Sequence, residues 1–199
     1  MPLKAMEGSP PPDQFESPTC EKFNAKVAFC SFNRLKDNRD QRIPKQGYQI
    51  KPGYHDFHPP LMKGSFISCQ TLLISRKLLI EQGMFDETLP RLQDWELCLR
   101  LSALTNFYFL DEILVSVEVI SDSISKDYKK YALAADLILE KHSPMFNKDK
   151  IASAILYLNV ANEALRIRNF LESLKYTVKS LLIGGIKFPN VLFVLIRRR

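Results

Sequence analysis

The chain has 199 residues, and its 46% hydrophobic, 25% charged and 11% aromatic composition excludes collagen-like, coiled-coil and wholly disordered classes. One principal domain of this size buries roughly 70% of its unfolded surface, enough core to fold without disulfide or metal staples. The net charge of +6 suits phosphate or anionic-membrane neighbours, yet an ordinary solvated surface gives the same excess.

Residues 1–19 hold Pro2, Pro10, Pro11, Pro12 and Pro18 among Ser, Glu and Asp, so a disordered leader is expected, with order beginning near Phe23. Val27–Phe32 is a short apolar run that predicts a strand, and the charged stretch Asn33–Arg42 reads as an exposed connection. Ile43–Pro60 is rich in proline, glycine and aromatic rings, which predicts a loop packed by its own side chains, the kind that often borders a site. Phe66–Ile74 predicts a strand, and Ser75 then caps a short helix, Arg76–Gln82, closed by Gly83.

A turn at Phe85–Pro90 leads to Asp94–Leu101, where Leu97, Leu101 and Leu104 share one helical face and acids occupy the first turn. Phe107–Leu110 and Ile113–Val119 predict two strands joined at Asp111-Glu112, and Ser125 caps a helix running to about His142. Strands alternating with helices make the class α/β. After Ser143-Pro144 the pattern is wholly helical, Ile151–Arg166 and Phe170–Leu182 joined at Arg168-Asn169, which predicts an antiparallel hairpin. The expected organisation is therefore a leader over 1–19, an α/β part over 20–145 and a helical tail over 146–199.

Cys20, Cys30, Cys69 and Cys98 form no C-x-x-C pair, and Met1-Pro2-Leu3-Lys4 leads into no apolar signal core, so a reducing cytoplasm is expected. Leu181–Ile196 is broken by Gly184, Gly185, Lys187, Pro189 and Asn190 and falls short of the ~20 apolar residues a spanning helix needs. Its end, Val191–Ile196 followed by Arg197, Arg198 and Arg199, suits either a last helix docked on the tail or peripheral contact with the inner face of an anionic membrane. Lysines and arginines are spread along the chain without an aromatic RNP-type motif, so nucleic acid is not an expected partner.

Three ordered segments carry the chemistry: Gly83-Met84-Phe85-Asp86-Glu87, then Gln93-Asp94-Trp95-Glu96-Leu97, then Ser123-Ile124-Ser125. Together they resemble the second half of the catalytic domain in family 2 glycosyltransferases, inverting enzymes of the GT-A type, whose sequences run G-x-F-D-E, (E/Q)-D-W-E-L and later S-I-S. The likeness covers about Phe23 to His142. It implies a partial GT-A-type, Rossmann-like domain, the acceptor side of an enzyme that moves a sugar from a nucleotide-sugar to a saccharide or lipid-linked acceptor. Separately, Tyr157, Ala161, Ala164, Phe170, Tyr176, Ser180 and Pro189 resemble one tetratricopeptide-type helix pair, with no second copy at the expected period.

By this resemblance Asp94 is the general base that takes the acceptor's proton while that oxygen attacks the anomeric carbon. An ordinary Asp pKa near ~3.9 keeps it ionised at neutral pH, and a helix N-terminus is expected to hold it further toward that form. Gln93 would orient Asp94 or touch the acceptor, Trp95 would stack on a sugar face or belong to the core, and Gly64 would let the backbone approach the acceptor or make a plain turn. His55-Asp56-Phe57-His58 offers two imidazoles and a carboxylate, short of the convergent ligands a metal needs, so no metal site is expected in this chain.

The family's D-x-D motif is missing, since Asp37-Asn38-Arg39-Asp40 has the wrong spacing, and its frequent histidine or arginine before S-I-S is replaced by Val117–Ser121. The resemblance therefore implies that Mg²⁺ or Mn²⁺ belongs to a complete enzyme, with its ligands and the donor-binding half supplied outside this segment or by a separate chain. The alternative is a noncatalytic scaffold that keeps part of the fold and recruits a partner through residues 149–199.

Overall fold

The computed structural model describes residues 25–36, 39–44, 50–118 and 127–185. The leader, the cap at Ser125, the Ser123-Ile124-Ser125 segment, Pro189 and the C-terminal arginines lie outside them. The central strand is β1 (Val27–Lys36), buried on both faces from Val27 to Phe32, as a near-continuous apolar run should be. Its charged second half continues as strand because β2 (Arg39–Ile43) folds back and pairs antiparallel with it, from Phe32↔Ile43 to Lys36↔Arg39. The expected connection over Asn33–Arg42 is thus largely a hairpin. Charge marked it as exposed, and backbone pairing decided its conformation.

β3 (Gly53–His55) lies inside the segment expected to be loop, and the short helix α1 (His58–Met62) starts within it. The predicted strand over Phe66–Ile74 is mostly irregular, with a single 3-10 turn at Cys69–Thr71 before the short β4 (Leu72–Ile74), which pairs antiparallel with Val27–Phe29. Helix α2 (Arg76–Glu81) follows at once, and Gly83, at φ +78°, takes the left-handed conformation that closes it.

Helix α3 (Gln93–Ser102) has the acids Asp94 and Glu96 in its first turn and Arg100 in its last, which complements the helix dipole. β5 (Phe107–Glu118) is one strand where two were expected, running parallel to β1. Its register slips between Cys30↔Leu110, Ser31↔Ile113 and Phe32↔Val115, so Asp111 and Glu112 form a bulge and no turn. Arg42 bonds both Ser31 and Asp111 across that bulge. The sheet order is β2-β1-β5-β3, with β4 sharing one edge of β1 with β2. The fold is mixed α/β.

Helices α4 (Tyr128–Lys141), α5 (Ser143–Lys148), α6 (Lys150–Arg166) and α7 (Phe170–Gly184) complete the described chain. Asp127, Asp149 and Asn169 cap α4, α6 and α7, each accepting from a backbone amide three residues on. Buried alanines at 154, 161 and 164, on the Tyr157 side of α6, leave room for α7, Tyr157 stacks on Tyr176 at 5.9 Å, and Ser180 Oγ donates to Ala154 O at 2.7 Å. One continuous core joins Phe29 and Phe109 of the sheet, Trp95 and Leu97 of α3, and Ile155 and Ala161 of α6. No described helix is long and apolar enough to cross a membrane.

Candidate functional site

A cleft of about 940 Å³ opens beside the start of α3, the size range of small-molecule sites. Its walls come from four places: Phe32 and Arg34 on one face of β1, Ile43 and Pro44 at the end of β2, the irregular stretch Ser65–Gln70, and the turns Phe85–Glu87 and Pro90–Asp94. The G-x-F-D-E and Q-D-W-E-L segments, separate in sequence, meet here. The third segment lies outside the described residues.

Asp94 is half-buried on the cleft wall, and its Oδ1 accepts from Trp95 N at 2.8 Å. The helix it opens has no side-chain cap from Leu92, which sits at φ +68° in a left-handed conformation costly for a side chain with a β-carbon. Asp94 thus satisfies one of the free amides of its own helix. Its carboxyl is shifted above the usual Asp range, against the expectation from the helix dipole. Burial is the largest cause and outweighs the amides of Trp95, Asp94 and Cys69 and the charge of Arg91, which all pull it down.

The other expected site residues divide. Gln93 lines the cleft, but its Nε2 donates to Leu89 O at 2.7 Å and so ties down the preceding turn. Trp95 is 2% exposed and its Nε1 donates to Leu61 O at 2.8 Å, so its ring belongs to the core and is not offered to a sugar. Gly64 donates its amide to the same Leu61 carbonyl at 3.1 Å and adopts φ +150°, which glycine alone takes readily. Both therefore meet at the buried Leu61, which is not part of the cleft lining. That lining begins one residue after Gly64, at Ser65.

No known protein-family profile matches the chain. A curated protein of Rickettsia bellii, named an uncharacterized glycosyltransferase, is 30% identical over 121 residues, covering 59% of this chain and 16% of that protein. This chain is thus similar to a small part of a much longer relative. No solved structure matches it.

Behind the cleft lies a charge cluster that motif spacing alone did not reveal. Glu96, with no solvent exposure, accepts from Arg100 Nε at 2.8 Å, His142 Nε2 at 2.9 Å and Lys141 Nζ at 3.0 Å. Burial alone would push this carboxyl up, but these hydrogen bonds hold it down to about 2. Arg100 also donates to the carbonyls of Gln82 and Met84, and Lys141 pairs with Asp86, whose carboxyl is held at about 2 by Lys141 and Thr88. The cluster clamps the Gly83–Glu87 turn and the end of α4 onto α3, fixing the Phe85–Glu87 wall of the cleft relative to Asp94.

Two arginines complete the lining. Arg91 is stacked over the Tyr131 ring at 4.6 Å and donates from Nη1 to Asp127 O at 3.3 Å. Arg34 is exposed and follows Phe32 on the same face of β1. Period-2 alternation from Phe32 would have found Arg34, had residues 33–36 been read as strand. The histidines of His55-Asp56-Phe57-His58 diverge: His55 Nε2 donates to Lys51 O, and His58 Nδ1 donates to Ser102 Oγ. Among the described residues no three His, Cys, Asp or Glu side chains converge as metal ligands.

Proposed function

We propose that this chain is the acceptor-side part of an inverting, family 2-like glycosyltransferase of the GT-A type, with Asp94 as its general base. The observation that carries the reading is a half-buried carboxylate, with its pKa raised by burial, on the wall of a cleft that the two motif segments build together. The name of the Rickettsia bellii relative supports sugar transfer in general. In the proposed step the Asp94 carboxylate takes the proton of an acceptor hydroxyl. That oxygen forms its bond to the anomeric carbon, and the bond from that carbon to the nucleoside diphosphate breaks with its electron pair on the departing oxygen. A carboxylate whose pKa is raised by burial is the stronger base toward an acceptor hydroxyl.

The donor half, with any Mg²⁺ or Mn²⁺ site, is assigned to sequence outside this segment or to a partner chain. The described residues do not assemble a site for the ion, and no step above is routed through it. A cytoplasmic location, with Arg197–Arg199 touching an anionic inner membrane face, fits a lipid-linked acceptor. The test is transfer from a nucleotide-sugar by the purified chain, alone and mixed with a D-x-D-bearing donor chain, at millimolar Mn²⁺. Asp94→Asn should lower turnover by about hundredfold or more. Absence of turnover in both arrangements, or turnover indifferent to Asp94→Asn, would sink the reading.

A second reading has its own support. Leu171, Leu174, Val178 and Leu182 make an exposed apolar stripe along α7, the feature a noncatalytic scaffold would use to recruit a partner. Capture of a partner by the intact chain but not by Leu174→Glu, with no sugar transfer in either, would favour it.

A further inference from the structure

Charge on the cleft wall is not spent internally. Asp86 is neutralised by Lys141, and the charges acting on Arg91 are those of Glu163, Asp127 and Asp94, none of which closes an ion pair with it. Among the described residues neither Arg91 nor Arg34 belongs to an ion pair. Arg91 is also preorganised by neutral groups: the Tyr131 face fixes the plane of its guanidinium and the Asp127 carbonyl takes one N–H. A guanidinium carries five N–H donors, so most of the fork remains for a ligand. Arg34 comes from the sheet and Arg91 from the turn before α3, so an anion held by both would lie across the cleft mouth with its remainder reaching toward Asp94.

We propose that Arg91 and Arg34 form an oxyanion subsite of the Asp94 cleft, recognising a phosphate or carboxylate group carried by the ligand whose hydroxyl or sugar is worked on there. This deepens the transferase reading and rests on it only for what happens at Asp94, because anion binding needs no turnover. The oxyanion has two possible sources, the diphosphate of the donor or an acidic group on the acceptor, and the probes separate them.

The experiment is titration calorimetry of the full chain with UDP, glucose 1-phosphate, glucuronate and uncharged glucose, at low and at raised salt. Binding of anionic probes over glucose is expected, weakening with salt. Arg91→Gln should raise Kd by about tenfold or more, as loss of a charge-assisted pair does, and Arg91→Lys by less, since it keeps charge but loses the fork. Arg34→Gln, at an exposed position that tolerates change, should weaken the same probes, whereas Arg76→Gln, exposed on α2 and outside the cleft lining, should not. UDP alone responding to these variants assigns the subsite to the donor, and glucose 1-phosphate or glucuronate responding assigns it to the acceptor. Absence of anion-dependent binding, binding unchanged in both Arg91→Gln and Arg34→Gln, or equal loss in Arg76→Gln would overturn the proposal. Failure of the transferase reading looks different: turnover would ignore Asp94→Asn while anion binding stayed sensitive to Arg91.

Discussion

Asp94 and Glu96 are two residues apart on one helix, and their surroundings push their acidities in opposite directions. Asp94 is raised in the fold, mainly by burial, so its ionised form is less at home there than in the unfolded chain. Its contribution to stability is therefore fully present below about pH 3.9, the unfolded value, and is lost as pH rises through the folded value. Asp94→Asn should accordingly unfold at a higher temperature than the parent at pH 7, with the advantage shrinking toward pH 3.5. Thermal melts at the two pH values read this directly, and an Asn variant less stable at pH 7 would contradict it. Glu96 behaves oppositely: held at about 2 in the fold, it contributes fully above its unfolded value of about 4.3 and loses that contribution as pH falls toward 2. Glu96→Gln should cost about 3 kcal/mol at pH 7 in urea unfolding, at the low end for a broken buried pair because Lys141 is 40% exposed and rehydrates, and it should flatten the acid limb between about pH 4.5 and 2.

Elements with a strong period and a local cap were legible in the sequence, and elements made by pairing were not. α3 follows from the face shared by Leu97 and Leu101, and α6 and α7 from the two helical runs joined at Arg168-Asn169. β2 and β3 carry no apolar run, because each is one short edge strand stabilised by hydrogen bonds to β1 or β5, and backbone pairing leaves little trace in side-chain pattern. The irregular stretch before β4 was the reverse error: Phe66 and Ile67 are apolar because they pack on Phe29 and Phe57 or sink into the core, and no strand is needed for that. Of the site, motif spacing located Asp94 and Gln93. It could not show that Trp95 and Gly64 meet at the carbonyl of Leu61, nor that Arg34 reaches the cleft, because both depend on contacts between segments far apart in sequence. The Trp95–Leu61 bond yields a test at this scale. Trp95→Phe should destabilise by about 1–2 kcal/mol in urea unfolding, since Leu61 O keeps the Gly64 amide and only one hydrogen bond and some packing are lost.

At the scale of the molecule, the tail and the cleft-bearing part share one interior. α6 buries Ile155, Leu156, Val160 and Ala161 in the same cluster as Phe107, Ile138 and Phe146, so it acts as a wall of the core, while α7 mainly covers the outer side of α6. Tyr128 strengthens the connection by donating to Glu172 Oε2 at 3.0 Å, from α4 to α7. A recruiting module independent of the cleft-bearing part would leave that part folded when removed, and the buried cluster argues against such independence for α6. A chain ended at Lys148 should lose its cooperative melting transition and bind a hydrophobic dye, because it uncovers Ile138 and Phe146 and removes the helix that packs on them. A chain ended at Arg168 keeps α6 and should still melt cooperatively, at a lower temperature, because it loses the Tyr157–Tyr176 stack and the Ser180 bond, with Tyr176 the one α7 side chain in the buried cluster, but keeps the rest of that cluster, the sheet, α3 and α6 included. If the shorter chain melts as sharply as the longer one, the helices beyond Lys148 are an appendage, and the positioning of Asp94 owes them nothing.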